Sequence, residues 1–186
     1  MDFSQENLDR IEFHLLGKFK SNCWIAGGAI TDCLMDKEIR DVDIFFPSEE
    51  TKQMGKDVML SLGARLVHEY PLGIKMQKGS SLYDLVYLGS TPEECIKSFD
   101  YTVCSIAIDK KKKIYFDKDY FEHMSNMELH YVGNHPSKHY TNKSKRLRKY
   151  LRKGFIIDKD NLGTWLDRLI NDHKKPKKKD PKKSVS

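Results

Sequence analysis

Apolar residues recur along this chain with two different periods, which predict a mixture of helices and strands. Over residues 3–20, Leu8, Ile11, Leu15 and Phe19 lie near the i, i+3, i+4 spacing of an amphipathic helix. Shorter apolar segments, such as 82–88, have the length and composition of strands. The pattern predicts helices over 3–20, 29–35, 49–62, 91–98, 118–125, 136–153 and 159–172, and strands over 22–26, 41–46, 64–70, 73–77, 82–88, 103–109 and 113–116. A chain of 186 residues is expected to form one domain with at most a small appendage.

Two acidic residues open the otherwise apolar strand predicted at 41–46. Asp41 and Asp43 lie two positions apart, so on a strand both side chains point to the same face, with Cα atoms about 6.5 Å apart. Carboxylates at this spacing can share two divalent ions about 3.5–4 Å apart, an arrangement used for phosphoryl transfer. Because Ile44, Phe45 and Phe46 follow, we expect the carboxylates where a buried strand meets a cleft.

Gly27 and Gly28 lie just before a short predicted helix, and glycine lets the backbone approach phosphate groups closely. Together with Asp32 and the Asp41-Val42-Asp43 segment, they resemble the signature of the DNA-polymerase-β-like nucleotidyltransferases. The resemblance is to the head domain of class II CCA-adding enzymes and bacterial poly(A) polymerases. One departure is Thr31, where that family has arginine; Arg40 and Lys37 are candidates to supply this charge.

The resemblance implies an α+β fold, with a mixed sheet flanked by helices and a short C-terminal helical neck. It also implies transfer of a nucleoside monophosphate from a nucleoside triphosphate, ATP or CTP being favoured, to an acceptor hydroxyl. Asp41 and Asp43 would bind Mg²⁺ or Mn²⁺, while Gly27, Gly28, Asp32 and Arg40 would contact the nucleotide. The implied acceptor is an RNA 3′ end such as that of tRNA.

Asp84 lies within an apolar strand, where a carboxylate is costly unless it is paired or binds a metal. The resemblance makes it a third catalytic carboxylate that completes the metal site or polarises the attacking hydroxyl. The alternative is an acid at a strand end that binds solvent or a lysine.

The segment around Asp100 and Thr102 resembles a family motif that holds the sugar and phosphates, so both residues are predicted to bind the nucleotide. Ser98 and Phe99 replace its two arginines, and Cys104 replaces its asparagine.

Residues 136–157 contain eight cations and no acidic residue, a distribution that favours a polyanionic partner over a merely solvated helix face. The segment resembles the family's neck helix, which would place Arg148 on the nucleotide. The acid pair of that helix would fall at Lys138 and His139, which do not match it. The predicted RNA-binding residues are Lys145, Arg146, Lys149, Arg152 and Lys153.

The net charge of +6 lies entirely in the C-terminal segment, because residues 174–186 contain seven lysines and one aspartate. With Val185 as its only hydrophobic residue, this segment is predicted to be disordered and to act either as a solubilising end or as a tether to RNA. The predicted organisation is a head over residues 1–135, a basic helical neck over 136–173 and the lysine-rich tail over 174–186. The family's body and tail helices have no counterpart in this sequence.

No segment predicts a membrane span or a signal peptide. The four cysteines lack metal-binding spacing and are interpreted as reduced core thiols, which favours a cytoplasmic protein. The seven histidines are scattered without ligand spacing and are interpreted as surface or core residues.

Two alternatives to an RNA-extending enzyme remain. The lost arginines fit a catalytically weakened protein that binds nucleotide or RNA. Other members of the superfamily are toxin-like and modify a hydroxyl of a protein or small molecule. The sequence leaves open the nucleotide, the acceptor, the number of nucleotides added and the oligomeric state.

Overall fold

The computed structural model describes residues 3–132 and 140–157, together with 159, 161–163 and 166–167. The helices are α1 (Gln5–Arg10), α2 (Gly28–Leu34), α3 (Glu49–Ser61), α4 (Pro92–Lys97), α5 (Tyr120–Ser125) and α6 (Tyr140–Arg152), with 3₁₀ helices at Phe13–Lys18 and Thr102–Cys104. The strands are β1 (Trp24–Ala26), β2 (Asp41–Phe45), β3 (Arg65–Tyr70), β4 (Gly73–Lys78), β5 (Ser81–Val86), β6 (Ile106–Asp109) and β7 (Ile114–Phe116).

Within the described residues, the seven strands form one sheet in the order β3-β4-β5-β2-β1-β6-β7. The central pair β2–β5 is parallel and the other pairs are antiparallel. The expectation of an α+β fold with a mixed sheet flanked by helices is therefore confirmed.

The two faces of the sheet are covered differently. On one face, alternate strand residues such as Ile25, Ile44 and Leu85 belong to a continuous core with residues of α1 and α2. On the other face, Trp24 and Phe45 belong to a second core that includes residues of α4 and α6. Asp41 and Asp43 share the second face with Phe45 because side chains alternate along a strand, so the acids lie next to an apolar core.

Local sequence signals explain several element boundaries. Ser48 caps α3 by accepting a hydrogen bond from the Thr51 amide at 3.1 Å, and the Thr51 hydroxyl accepts one from the Ser48 amide. Gly63 follows this helix with a φ of 83°, a backbone conformation that favours glycine. Thr91 caps α4, which begins with Pro92.

Two predicted elements differ from the structure. The single helix expected over 3–20 is wrong: α1 ends near Arg10, Glu12 has a φ of 52°, and a 3₁₀ helix follows. This break still buries Leu15 and Leu16, so the apolar spacing alone does not reveal it. The strand expected from residue 103 is also wrong at its start. There the Val103 carbonyl accepts a hydrogen bond from the Thr31 hydroxyl at 2.6 Å, and a 3₁₀ turn precedes β6.

The basic helix predicted over 136–153 is described from Tyr140, and residues 133–139 lie outside the described residues. Of the helix predicted at 159–172, residues 159, 161–163 and 166–167 are described and are helical. The tail over 174–186 lies outside the described residues. None of the described helices has the length and apolarity needed to cross a membrane.

Candidate active site

The register of the central parallel strands brings three carboxylates together. Asp43 on β2 lies directly opposite Asp84 on β5, and Asp41 lies two positions before Asp43 on the same face. Carboxylate oxygens of all three residues lie within 4.8 Å of one another. We call Asp41, Asp43 and Asp84 the carboxylate triad.

The electrostatics of the triad suit a divalent cation. Burial, followed by repulsion from Asp41 and Asp84, raises the pKa of Asp43 to about 7. Oxygen ligands at this separation are the type that Mg²⁺ and Mn²⁺ prefer, and a cation there would relieve the repulsion. The residues present therefore fit the metal site that the sequence predicts.

Asp84 also has two partners on the neighbouring hairpin. Lys75 on β4 lies opposite Asp84 in the antiparallel register, with its Nζ 2.8 Å from one Asp84 oxygen and 3.7 Å from Asp41. The Tyr70 hydroxyl donates to the other Asp84 oxygen at 3.1 Å. Asp84 therefore pairs with a lysine, and it also lies within the cluster of acids.

Tyr70 can reach Asp84 because its ring lies directly over Gly73. A Cβ atom built at Gly73 would lie 2.5 Å from the Tyr70 hydroxyl oxygen, so a larger residue would displace the ring. The sequence interpretation missed Lys75 and Tyr70. A tight turn at Gly79-Ser80, which pairs Lys78 with Ser81, implies the register of Lys75 with Asp84 and was the available signal.

Gly27 and Gly28 differ in whether their backbone conformation requires glycine. Gly27 has a φ of 85° and a ψ of −140°, a conformation essentially restricted to glycine, and lies next to Asp43. Gly28 begins α2, and a Cβ atom there would meet only the Nζ of Lys149, at 3.7 Å. A cation of α6 therefore lies over the backbone that the sequence predicts to approach the phosphates.

Beside the triad lies a cleft of about 850 Å³, which we call the basic cleft. One wall is a single face of α6 and the residues just after it, since the lining positions are three or four residues apart. The opposite wall comes from α2, the loop before β2, and the starts of β2 and β5. The lining residues are Asp32, Lys37, Glu38, Arg40, Asp41, Leu82, Lys145, Arg148, Lys149, Arg152 and Lys153. The structure thus brings together Arg40, Arg148 and four of the five residues predicted to bind RNA.

Arg146, the fifth predicted RNA-binding residue, lies on a different face of α6. Its guanidinium donates two hydrogen bonds of 2.7 Å to the carboxylate of Asp100, whose side chain is 1% exposed. At the end of the same segment, Lys153 pairs with Asp32. Two residues predicted to contact the nucleotide, Asp32 and Asp100, therefore hold α6 and the residue just after it against the rest of the described structure.

Thr102 and Thr31 are also engaged within the protein. Thr102 is buried, and its hydroxyl lies 2.8 Å from Nδ1 of His123. Thr31 is fully buried, with its hydroxyl bonded to the Val103 carbonyl. The position that carries arginine in the resembled family therefore faces the interior of this protein.

Several solved structures share this fold. An apo form of a tRNA-processing enzyme superposes with a TM-score of 0.65 at 16% identity, covering 91% of this chain and 52% of that one. A CCA-adding enzyme in complex with CTP gives a TM-score of 0.66 at 18% identity, covering 91% of this chain and 44% of that one. The Thermotoga maritima CCA-adding enzyme in complex with tRNA gives a TM-score of 0.62 at 18% identity, covering 91% of this chain and 42% of that one. The chain thus spans about half the length of these enzymes, and the likeness establishes a nucleotidyltransferase-like fold.

No curated protein matches the chain in sequence. A family model does match residues 2–127, which include the complete sheet and the carboxylate triad but not α6. That model describes Gad2, the Gabija anti-defense 2 family protein. Because the match spans more than half of the chain, this protein belongs to the Gabija anti-defense 2 family.

Proposed function

We propose that this protein is a metal-dependent nucleotidyltransferase, which moves a nucleoside monophosphate from a nucleoside triphosphate to an acceptor hydroxyl. The observation that carries the proposal is the carboxylate triad, whose oxygens lie within 4.8 Å of one another at the edge of the basic cleft. Acids clustered beside a polyphosphate would repel it unless a cation lay between them. The nucleotidyltransferase-like fold supports the same activity.

Asp41 and Asp43 are the residues that would hold Mg²⁺ or Mn²⁺, and Asp84 would complete the ligand set or accept the proton of the attacking hydroxyl. A divalent ion bound there polarises the attacking oxygen and neutralises charge on the triphosphate. In the transfer, the acceptor oxygen forms a bond to the α-phosphorus, while the bond from that phosphorus to the bridging oxygen breaks. Pyrophosphate leaves, and the hydroxyl proton passes to Asp84 or to water.

The cations of α6 would take the place of the arginine that is absent at residue 31. Lys149 reaches the backbone of Gly28, and Arg148 and Arg40 line the adjoining cleft. We propose that these three side chains contact the triphosphate. Asp32, Asp100 and Thr102 would act on nucleotide binding indirectly, since each holds another residue of the protein.

For the acceptor, we propose a nucleic acid, with an RNA 3′ end such as that of tRNA favoured. Lys145, Arg152 and Lys153 extend the positive wall of the cleft beyond Lys149, as a phosphate backbone requires. The related folds include one bound to tRNA and one bound to CTP.

A second candidate acceptor is a hydroxyl of a protein in a Gabija defence system. Membership of a family described as anti-defence favours this candidate, because adding a nucleotide to a defence protein can inactivate it. The transfer chemistry at the triad would be the same, so the two candidates differ only in what lies in the basic cleft.

The test is a transfer assay with each labelled nucleoside triphosphate, in Mg²⁺ or Mn²⁺, with total RNA and, separately, with purified Gabija proteins. We expect label in RNA or in protein with the wild type, and no label with Asp41→Asn/Asp43→Asn. Asp57→Asn, an exposed acid on α3, is the matched control and should retain activity. Label in RNA supports the first acceptor and label in a Gabija protein the second. Saturable nucleotide binding without transfer to either acceptor would instead support the weakened binding protein.

A further inference from the structure

A second group of potential metal ligands lies away from the carboxylate triad, where the chain leaves α5. His123 belongs to α5, and Glu128 and His130 follow on an extended segment. One ligand atom from each of the three lies within 4.8 Å of the others. We propose that His123, Glu128 and His130, which we call the histidine cluster, bind a transition-metal ion of the zinc type.

In both histidines Nδ1 faces a partner outside the cluster, so Nε2 is the nitrogen that faces the other members of the cluster. Nδ1 of His123 lies 2.8 Å from the Thr102 hydroxyl, and Nδ1 of His130 contacts the side-chain amide of Asn161. Metal-binding histidines generally donate the N–H of their second nitrogen to such a partner. The Thr102 hydroxyl can accept it from His123, and Asn161 can accept it from His130 when its amide turns so that Oδ1 faces the ring. Both Nε2 atoms are then the ones that would ligate.

The carboxylate of Glu128 lies at a ligand's distance from one of these nitrogens. Its Oε2 is 3.2 Å from Nε2 of His130. Two ligands about 2.0–2.1 Å from one tetrahedral ion lie roughly 3.3 Å apart. This pair therefore needs little movement to hold an ion, and the side chains of Glu128 and His130 are 32% and 26% exposed, which leaves an entry path.

The two rings are stacked, with centroids 3.6 Å apart and planes at 2°. Parallel rings direct their in-plane lone pairs side by side and not at one point. Binding an ion would therefore require one of the two rings to turn about its Cβ–Cγ bond. Loss of the stack is a structural signature of metal binding at this cluster.

The ligand types separate this site from the triad. Two imidazoles and one carboxylate suit Zn²⁺ or Co²⁺, whereas three carboxylates suit Mg²⁺ or Mn²⁺. A fourth position would be filled by water. The spacing of the histidines alone did not predict this set, since Glu128 supplies the third ligand.

The position of the cluster suggests a structural role. The amide of Leu129 donates to the carbonyl of Ile156, and the amide of Ile156 donates to the carbonyl of Met127, both at 2.8 Å. An ion on Glu128 and His130 would thus brace the segment that holds the chain leaving α6. Metal binding is expected to stabilise the contact between this segment and the chain that follows α6.

The experiment uses full-length protein without a polyhistidine tag, stripped of metal and carrying Asp41→Asn/Asp43→Asn so that the triad does not compete. We expect one equivalent of Zn²⁺ to bind and the melting temperature to rise, as for any ligand that binds only the folded state. Co²⁺ should give the visible absorption of a tetrahedral site. In proton NMR spectra with Zn²⁺, the ring-proton resonances of His123 and His130 should shift as the two rings unstack.

Glu128→Gln and His130→Ala, each added separately, should weaken Zn²⁺ binding by at least about tenfold. His14→Ala, which removes an exposed histidine on the 3₁₀ helix, should leave it unchanged. Far-ultraviolet circular dichroism confirms that each variant folds. Absence of Zn²⁺ binding at micromolar concentrations, or equal affinity in Glu128→Gln, would overturn the proposal. Because the readout is metal binding without the triad, its failure would leave the proposed transferase activity untouched.

Discussion

At the scale of single residues, the side chain of Lys75 is a counter-ion for the carboxylate triad. Lys75 contacts Asp84 and lies near Asp41, so in the absence of a divalent ion it offsets part of the charge of three acids. A metal ion entering the same space must meet this ammonium group. We therefore expect Lys75 to lower the affinity of the triad for a metal ion while it keeps the acids in place.

Lys75→Met is expected to tighten Mn²⁺ binding in the absence of nucleotide by roughly tenfold, because like charges a few ångströms apart repel by about 1–2 kcal/mol even in water. Isothermal titration calorimetry or Mn²⁺ electron paramagnetic resonance measures the change. Lys78→Met, at the end of the same strand, is the control and should bind Mn²⁺ as the wild type does. An unchanged affinity in Lys75→Met would show that the lysine does not share the metal's space.

The raised pKa of Asp43 gives the metal-free protein a defined pH dependence. A carboxyl whose pKa is about 7 when folded binds its proton more tightly than in the unfolded chain, so its ionisation destabilises the fold as pH rises from about 4 through 7. We expect Asp43→Asn to be more stable than the wild type at pH 8 without metal. This advantage should shrink as pH falls below 7 and vanish near pH 4.

Chemical denaturation of both proteins across this pH range, in a chelator, checks the expectation. Saturating Mg²⁺ should remove the advantage of the variant at pH 8, because only the wild type keeps the Asp43 carboxylate that would bind the ion. A constant difference between the two proteins at every pH would contradict the assigned pKa.

At the scale of elements, α6 is held by charge pairs as well as by apolar contacts. Tyr150 packs into the second core, while Arg146 pairs with the buried Asp100. Arg146→Met would leave Asp100 buried without its partner and should destabilise the protein by about 3 kcal/mol. Unfolding in urea measures this loss.

The double variant Asp100→Asn/Arg146→Met separates the charge from the packing. It should recover most of the stability lost in Arg146→Met, because no unpaired charge remains buried. Arg152→Met, on the cleft face of the same helix, serves as the control and should change stability little. No recovery in the double variant would mean that Arg146 stabilises the helix mainly by packing.

At the scale of the whole molecule, the basic cleft forms because α6 lies opposite the N-terminal ends of the central strands β2 and β5. One face of α6 supplies most of the positive charge of the cleft, and Arg40 adds positive charge from the opposite wall. Lys145→Gln/Arg152→Gln should weaken nucleic-acid binding and reduce the slope of log affinity against log salt concentration by about 1.4, roughly 0.7 for each lost contact with a phosphate of single-stranded RNA.

Fluorescence anisotropy with a labelled single-stranded RNA, at several salt concentrations, gives this slope. Lys111→Gln/Lys118→Gln removes two exposed lysines outside the cleft and should leave it unchanged. Equal slopes for the cleft variant and the wild type would place the nucleic acid elsewhere.

The sequence by itself determined the elements whose signals are local. Gly27-Gly28, the Asp41-Val42-Asp43 alternation and the Ser48 cap each act within a few residues, so the central strand, its two acids on one face and the helix after it could be predicted. The α+β fold was predicted from the resemblance of these motifs to the nucleotidyltransferase signature. The predicted helix over 3–20 failed because periodicity records which residues are buried, and Glu12 breaks the helix without exposing them.

Only the tertiary structure decided which distant residues meet. The strand register brings Asp84 and Lys75 to Asp43, and the packing of α6 puts Lys149 over Gly28 while turning Arg146 inward to Asp100. It also brings His123, Glu128 and His130 within reach of one ion. Such contacts depend on how elements pack across long separations in the chain, and no local pattern of apolar and polar residues encodes that arrangement.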